Sequence, residues 1–169
     1  ILLASVLGQI GLPGGGYTFG YGSTGGMGNA PPLFRPPSMS AGRNPTNYAI
    51  PAARIVDALL KPGEIFDYNG KKITYPNIKM IYWAGGNPFH HHQDLNRLRL
   101  GWERPETVIV HEPWWTATAR HADIVLPATT SLERNDFGSA ARDPYLVVME
   151  KAIDPVGQSK NDFDILVEL

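Results

Sequence analysis

The chain has 169 residues, 43% of them hydrophobic, and a formal charge of -1 at neutral pH, values of an ordinary globular protein with enough length for a real core. No basic surplus points to nucleic acid, no acidic block points to a solvating tail, and no apolar run approaches the about 20 residues of a membrane-spanning helix. Cysteine is absent, which excludes disulfides, zinc ribbons, iron–sulfur ligation and a thiol nucleophile within this stretch.

The first residues, ILLASVL, read as a helix already under way, with neither a methionine nor a signal-peptide start. At the other end, DFDILVEL reads as a helix just beginning. The expectation is a piece of a larger protein. From Gly11 to Pro37 glycine and proline dominate, so neither a helix nor a long strand is expected there. Tyr17, Phe19 and Tyr21 argue against plain disorder. Those rings either pack over the fold or line a ligand site.

A helical stripe follows at Ile55, Val56, Leu59 and Leu60, closed by Pro62-Gly63. Asn69-Gly70 between two β-prone runs is the strongest hairpin signal in the chain. From Ile78 the rhythm changes. IKMIYWA reads as a buried strand, and HHQDLNRLRLGW as a helix with Leu95, Leu98 and Trp102 on one side. TVIV is a second strand, WTATARHA a short helix and DIVLP a third strand. That alternation predicts an α/β fold, a doubly wound parallel sheet covered on both faces and joined by right-handed crossovers.

In open α/β sheets ligands bind at the carboxyl ends of the strands. Here those ends are Gly85-Gly86-Asn87-Pro88, His111-Glu112-Pro113 and Pro127-Ala128-Thr129-Thr130. Gly85 and Gly86 allow close approach, and the helix start that follows favours an anion. Glu112 stands where dinucleotide-binding folds place an acid on a ribose hydroxyl. The same GGN is equally well a tight strand-to-helix turn, since no GxGxxG is present.

Three consecutive histidines, His90, His91 and His92, look like metal ligands, yet adjacent helical side chains diverge by about 100°. HEPWW lacks the second histidine of HExxH. A metal gathered by His91, His111 and Glu112 is the remaining metal reading. Arg97 and Arg99 read as an exposed face, Arg120 and His121 as a helix's last turn, and Glu133 to Asp136 as a surface turn. Arg134 lies near enough to the third strand's end to reach a phosphate. Asp162 suits a helix N-cap, a role that does not preclude ligand binding. No nucleophile elbow or defensible Ser–His–acid set exists.

The blocks GQIGLPGGGYTFGYG, GGNPFHHHQDLNRL, ETVIVHEPWWTATARHADIVLPATTSLERND and KAIDPVGQSKNDFDIL resemble, in order and over nearly the whole chain, the dimethyl sulfoxide reductase family of molybdenum enzymes. The likeness is to the S-oxide and N-oxide reductase branch. It implies bis-molybdopterin guanine dinucleotide and molybdenum as cofactors. It also implies a Rossmann-like region at 78–169 gripping one dinucleotide, with a loop, helix and hairpin at 1–77 packing on it. By that resemblance the cofactor contacts are Gly85, Gly86, Asn87 and His91, with His111 and Glu112 at the guanosine part. Arg134 would meet phosphate or guanosine, and Asp162 the guanine's N1–H and N2–H₂. No residue here would be catalytic or a metal ligand; the family's metal-binding serine belongs to an earlier domain.

The implied reaction is removal of an oxygen atom from a small S-oxide or N-oxide, with electrons from a donor protein or cytochrome, in a bacterial periplasm or cytoplasm. Glu112 stands where relatives often carry Asp, and FGSAARDPYLVVMEKAIDP departs from the reductases, which leaves the substrate open. The rival readings are a dehydrogenase or hydroxylase on the same cofactor, a nucleotide-binding domain without the metal, and a His/Glu metallohydrolase.

Overall fold

The computed structural model describes residues 2–17, 42–43, 45–46, 49–138 and 145–169; Phe19 and Tyr21 of the Gly/Pro-rich stretch lie outside them. In chain order the first elements are α1 (Leu2–Val6), α2 (Ile55–Leu60), β1 (Ile65–Tyr68), β2 (Lys71–Thr74), β3 (Met80–Ala84) and α3 (Pro88–His91). Then come α4 (Leu95–Trp102), β4 (Thr107–His111), α5 (Ala117–Arg120), β5 (Ile124–Leu126), β6 (Asp136–Gly138), β7 (Val147–Met149) and α6 (Asp162–Glu168).

The chain divides into two units. One takes in residues 1–39 and 136–149; it contains α1, which buries no residue, and the antiparallel pair β6–β7 with Phe137 opposite Val148. The other takes in residues 40–135 and 150–169 and carries every residue singled out at the strand ends.

In that second unit β3, β4 and β5 form a parallel sheet in the order β3-β4-β5. Strand alternation sends Ile81, Trp83, Val108 and Val110 to one face. There they meet Val56 and Leu59 of α2, Phe89 of α3, and Leu98 and Trp102 of α4. Full burial of an aliphatic side chain such as Leu98, wholly shielded here, contributes roughly 1.5–3 kcal/mol. Trp102 meets Phe89 edge-on at 5.5 Å and Trp83 at 5.6 Å between ring centroids; its Nε1 is buried with no partner among the described residues.

The expectation of cover on both faces is not met among the described residues. Met80 and Ile124, on the opposite face, are 55% and 45% exposed. The reason is topological. Successive crossovers step in one direction, and α3 packs against α5, so the crossover helices share a face.

Two further expectations are corrected. HHQDLNRLRLGW is not one helix: His92 is extended (φ -79°, ψ 147°) and separates α3 from α4. Asp94 is the cause, because its carboxylate accepts the Arg97 N–H at 3.0 Å and starts a new helix. Arg97 in turn donates to Asp57 at 2.7 Å, which ties α4 to α2. Nor does Asp162 cap α6. Asn161 does, accepting the Asp164 N–H at 3.0 Å, and the Asp162 side chain is left for another partner.

The hairpin stands as the sequence predicts. Asn69 (φ 49°) and Gly70 (φ 73°) both adopt the left-handed conformation between β1 and β2, as a two-residue primed turn requires. A last feature positions the site. Lys160 pairs in parallel with Ala128, its N–H bonding to Pro127 O and its carbonyl accepting from Thr129 N, both at 3.0 Å. This strand-like segment extends the sheet past β5 and delivers α6 to the carboxyl edge.

Candidate functional site

At the carboxyl ends of the three parallel strands lies a cavity of about 400 Å³, within the range of small-molecule sites. Its walls come from the β3–α3 turn (Gly85, Gly86), the end of β4 (His111 to Trp114), the segment after β5 (Ala128 to Ser131, with Arg134) and Asp162 at the start of α6. Gly85 and Gly86 hold φ 80° and 70°, a conformation that side-chain-bearing residues rarely take.

Each polar wall has a fixed geometry. His111 is buried. Its Nδ1 lies 2.8 Å from Asp162 Oδ1 and its Nε2 2.5 Å from the Tyr82 hydroxyl. Glu112 Oε2 accepts from the Thr116 hydroxyl at 3.0 Å, and Thr116 also caps α5 through the Ala119 N–H. Arg134 Nη1 donates to Thr129 O at 2.5 Å. The Thr129 hydroxyl is buried and has no partner among the described residues.

Glu133 braces the floor of this loop. Expected in a surface turn, it is buried. Its Oε2 accepts the Thr130 N–H and hydroxyl, both at 2.7 Å, and its Oε1 accepts Val156 N–H at 2.7 Å and Ser159 Oγ at 3.3 Å. Hydrogen bonds to the ionised form, the Thr130 hydroxyl foremost and then the Val156 and Thr130 amides, hold its carboxyl at about 2 against an ordinary 4.5.

Of the eight residues expected at the site, Gly85, Gly86, His111, Glu112, Arg134 and Asp162 line this one cavity. Asn87 and His91 are not in its wall. The Asn87 side-chain oxygen accepts from the fully buried Thr118 hydroxyl, and His91 is exposed on α3. Sequence reasoning passed over Tyr82, Thr116, Thr118 and Glu133. Thr116 carries a readable signal, a threonine directly before a helix. Glu133 carries one too, the Thr-x-x-Glu spacing to Thr130, but Tyr82 and Thr118 carry none, since their partners lie 29 and 31 residues away in the chain. Among the described residues no three His, Asp or Glu side chains come together as metal ligands.

A second hollow, about 480 Å³, lies between β5 and α6. Its two charged residues, Lys160 and Glu168, are paired with each other at 2.6 Å, and the rest of its wall is mainly apolar. It therefore lacks the convergent polar groups of the strand-end cavity.

The sequence model of the molybdopterin oxidoreductase family matches residues 1–169. The chain belongs to that family. Among curated molybdopterin oxidoreductase relatives, biotin sulfoxide reductase of Cereibacter sphaeroides is 55% identical over 96% of this chain and 22% of its own length. Trimethylamine-N-oxide reductase of Haemophilus influenzae is 50% identical over all of this chain and 22% of its own length. Dimethyl sulfoxide/trimethylamine N-oxide reductase of Cereibacter sphaeroides is 47% identical over all of this chain, again 22% of the relative. This molybdopterin oxidoreductase chain thus spans about a fifth of the proteins it matches. Among solved structures, acetylene hydratase of Pelobacter acetylenicus superposes with a TM-score of 0.54 over 68% of the chain and 14% of the hydratase, at 20% identity; the likeness is one of fold.

Proposed function

We propose that this chain is part of a molybdenum reductase of S-oxides or N-oxides, and that its strand-end cavity grips one molybdopterin guanine dinucleotide. Membership of the molybdopterin oxidoreductase family and the activities named for the relatives support the reaction. The parallel sheet with its cavity at the carboxyl ends supports a Rossmann-like dinucleotide site.

The observation that carries the reading is the donor and acceptor set converging on that cavity. Asp162 keeps Oδ2 without a donor among the described residues, an acceptor suited to the N1–H and N2–H₂ edge of guanine. Glu112 is placed for ribose hydroxyls. Arg134 supplies a cation with the geometry of a phosphate partner, and the glycine turn lets backbone approach it. Asn87 and His91 belong to the outer margin, with Asn87 orienting the turn through Thr118.

When bound, the molybdenum cofactor supplies the oxygen-atom and two-electron chemistry that converts the oxide, with two protons, to the reduced compound and water. The role of the cavity residues described above is to bind and orient the dinucleotide, with the oxygen chemistry left to the cofactor. Electrons reach the whole protein from a donor protein or cytochrome.

The test is molybdenum content and acid-released GMP on the full-length protein from a host that makes the cofactor. About two GMP per molybdenum is expected, the ratio of a bis-dinucleotide cofactor. A well-folded protein holding neither molybdenum nor GMP refutes the proposal. So does Asp162→Ala with unchanged cofactor retention, as far as the guanine contact is concerned.

A further inference from the structure

We infer that Tyr82 and His111 are positioning residues that aim the Asp162 carboxylate, and so set which base the cavity accepts. The inference rests on the nucleotide-binding reading above and adds to it two residues that need not touch the ligand.

The argument begins with proton inventory. A carboxylate only accepts, so the 2.8 Å contact between His111 Nδ1 and Asp162 Oδ1 requires the proton on Nδ1. With that single ring proton, Nε2 offers a lone pair, and the Tyr82 hydroxyl at 2.5 Å is the group that donates to it. Every donor and acceptor of the three-residue chain is matched in this arrangement, and the reverse tautomer would set a lone pair against the carboxylate.

Burial gives the chain its direction. The His111 side chain is 1% exposed and Asp162 48%, so the fixed end is inside and the working end opens on the cavity. Both ring nitrogens of His111 are engaged by protein groups, which leaves the ring no in-plane atom for a ligand. Tyr82 is not in the cavity wall. It comes from the neighbouring strand β3 and meets the His111 ring edge-on, with centroids 5.2 Å apart. One carboxylate oxygen is thereby anchored through two strands, and Oδ2 faces a base edge at a set angle. Guanine presents two adjacent donors there, and adenine presents a ring acceptor at the matching position. A well-aimed carboxylate therefore accepts the first and repels the second.

The experiment uses the full-length protein purified without cofactor, titrated calorimetrically with 5′-GMP and 5′-AMP. The unaltered protein is expected to prefer GMP. Tyr82→Phe should weaken GMP roughly three- to tenfold, the effect of one lost buried hydrogen bond, and leave AMP unchanged, so that the preference falls by the same factor. His111→Phe should abolish the preference. His111→Asn, whose amide N–H lies near the place of Nδ1, should restore part of it. Should either His111 variant fail to fold, Tyr82→Phe alone carries the test. Equal weakening of GMP and AMP would mean a generally deformed cavity and would overturn the inference, as would an unchanged preference in Tyr82→Phe. No binding of GMP by the unaltered protein would instead overturn the nucleotide reading itself, and equal binding of GMP and AMP would overturn the guanine contact at Asp162.

Discussion

Truncating Leu98 to alanine tests whether the core under the β3–β4 crossover is what holds the strand ends in place. Leu98 is 0% exposed within the cluster of Val56, Leu59, Phe89, Trp102, Val108 and Val110. Removing three buried carbons at about 0.8 kcal/mol each gives a transfer loss of about 2.4 kcal/mol. The unfilled space adds to it, for a total of about 3–4 kcal/mol. Leu100, on the same helix and 52% exposed, is the control; truncation there should cost under about 1 kcal/mol. The assay is hydrogen exchange of the full-length protein, read on peptides covering β4 and α2, because local protection reports local stability without a two-state whole. At 1.4 kcal/mol per tenfold, protection of β4 amides in Leu98→Ala should fall roughly 100-fold or more. A comparable fall in Leu100→Ala, or none in Leu98→Ala, would show that this cluster does not govern the strands.

Glu133→Gln should loosen the 127–133 loop at neutral pH, because one carboxylate oxygen becomes an amide donor facing N–H and O–H donors; raised exchange at Thr130 and Val156 is the check. The unaltered loop should lose its brace on acidification. A depressed carboxyl contributes stability that is whole above its ordinary 4.5 and fades as pH falls toward about 2, a decline that an exchange series across that window should show and that Glu133→Gln should lack. Asp57→Asn should cost about 0.5–1 kcal/mol, and less at high salt. Asp57 accepts from both Arg97 and Arg54, and the Arg97 contact leads in holding its carboxyl below the ordinary value. Denaturation at two ionic strengths measures the effect. Gly70→Val should destabilise the β1–β2 hairpin by roughly 1–2 kcal/mol, the cost of a left-handed conformation for a residue with a side chain; exchange at Phe66 and Ile73 reads it.

What could be read from the sequence was local. Periodicity placed α2 and the strands, and Asn69-Gly70 placed the hairpin, because each depends on residues a few positions apart. The strand-end rule found Gly85, Gly86, His111, Glu112, Pro113, Ala128, Thr129 and Thr130 of the cavity's wall for the same reason, a βα turn being a local event, whereas Asp162 was expected there only by the family resemblance. The helix break at His92–Asp94 was also local and was passed over, since the apolar stripe resumes on the far side and hides the aspartate's capping role. Long-range features were out of reach. That Glu133 turns inward to meet Val156 and Ser159, or that Tyr82 meets His111 across two strands, follows from how the segments are brought together. The exposure of Met80 and Ile124 on the second face of the sheet follows from crossovers stepping one way, and the apolar strands alone read the same in either case.

The parallel pairing of Lys160 with Ala128 has a kinetic consequence. Once that pairing has turned the chain back, Asp162 meets His111 across 51 residues, a longer closure than the 40 between Asp57 and Arg97 that ties α4 to α2 or the tight hairpin. Contacts that span more chain form later, so the site should be among the last parts of this unit to assemble. A ligand bridging Gly85 and Asp162 would then bind the finished arrangement and draw the slowest closure to completion by mass action.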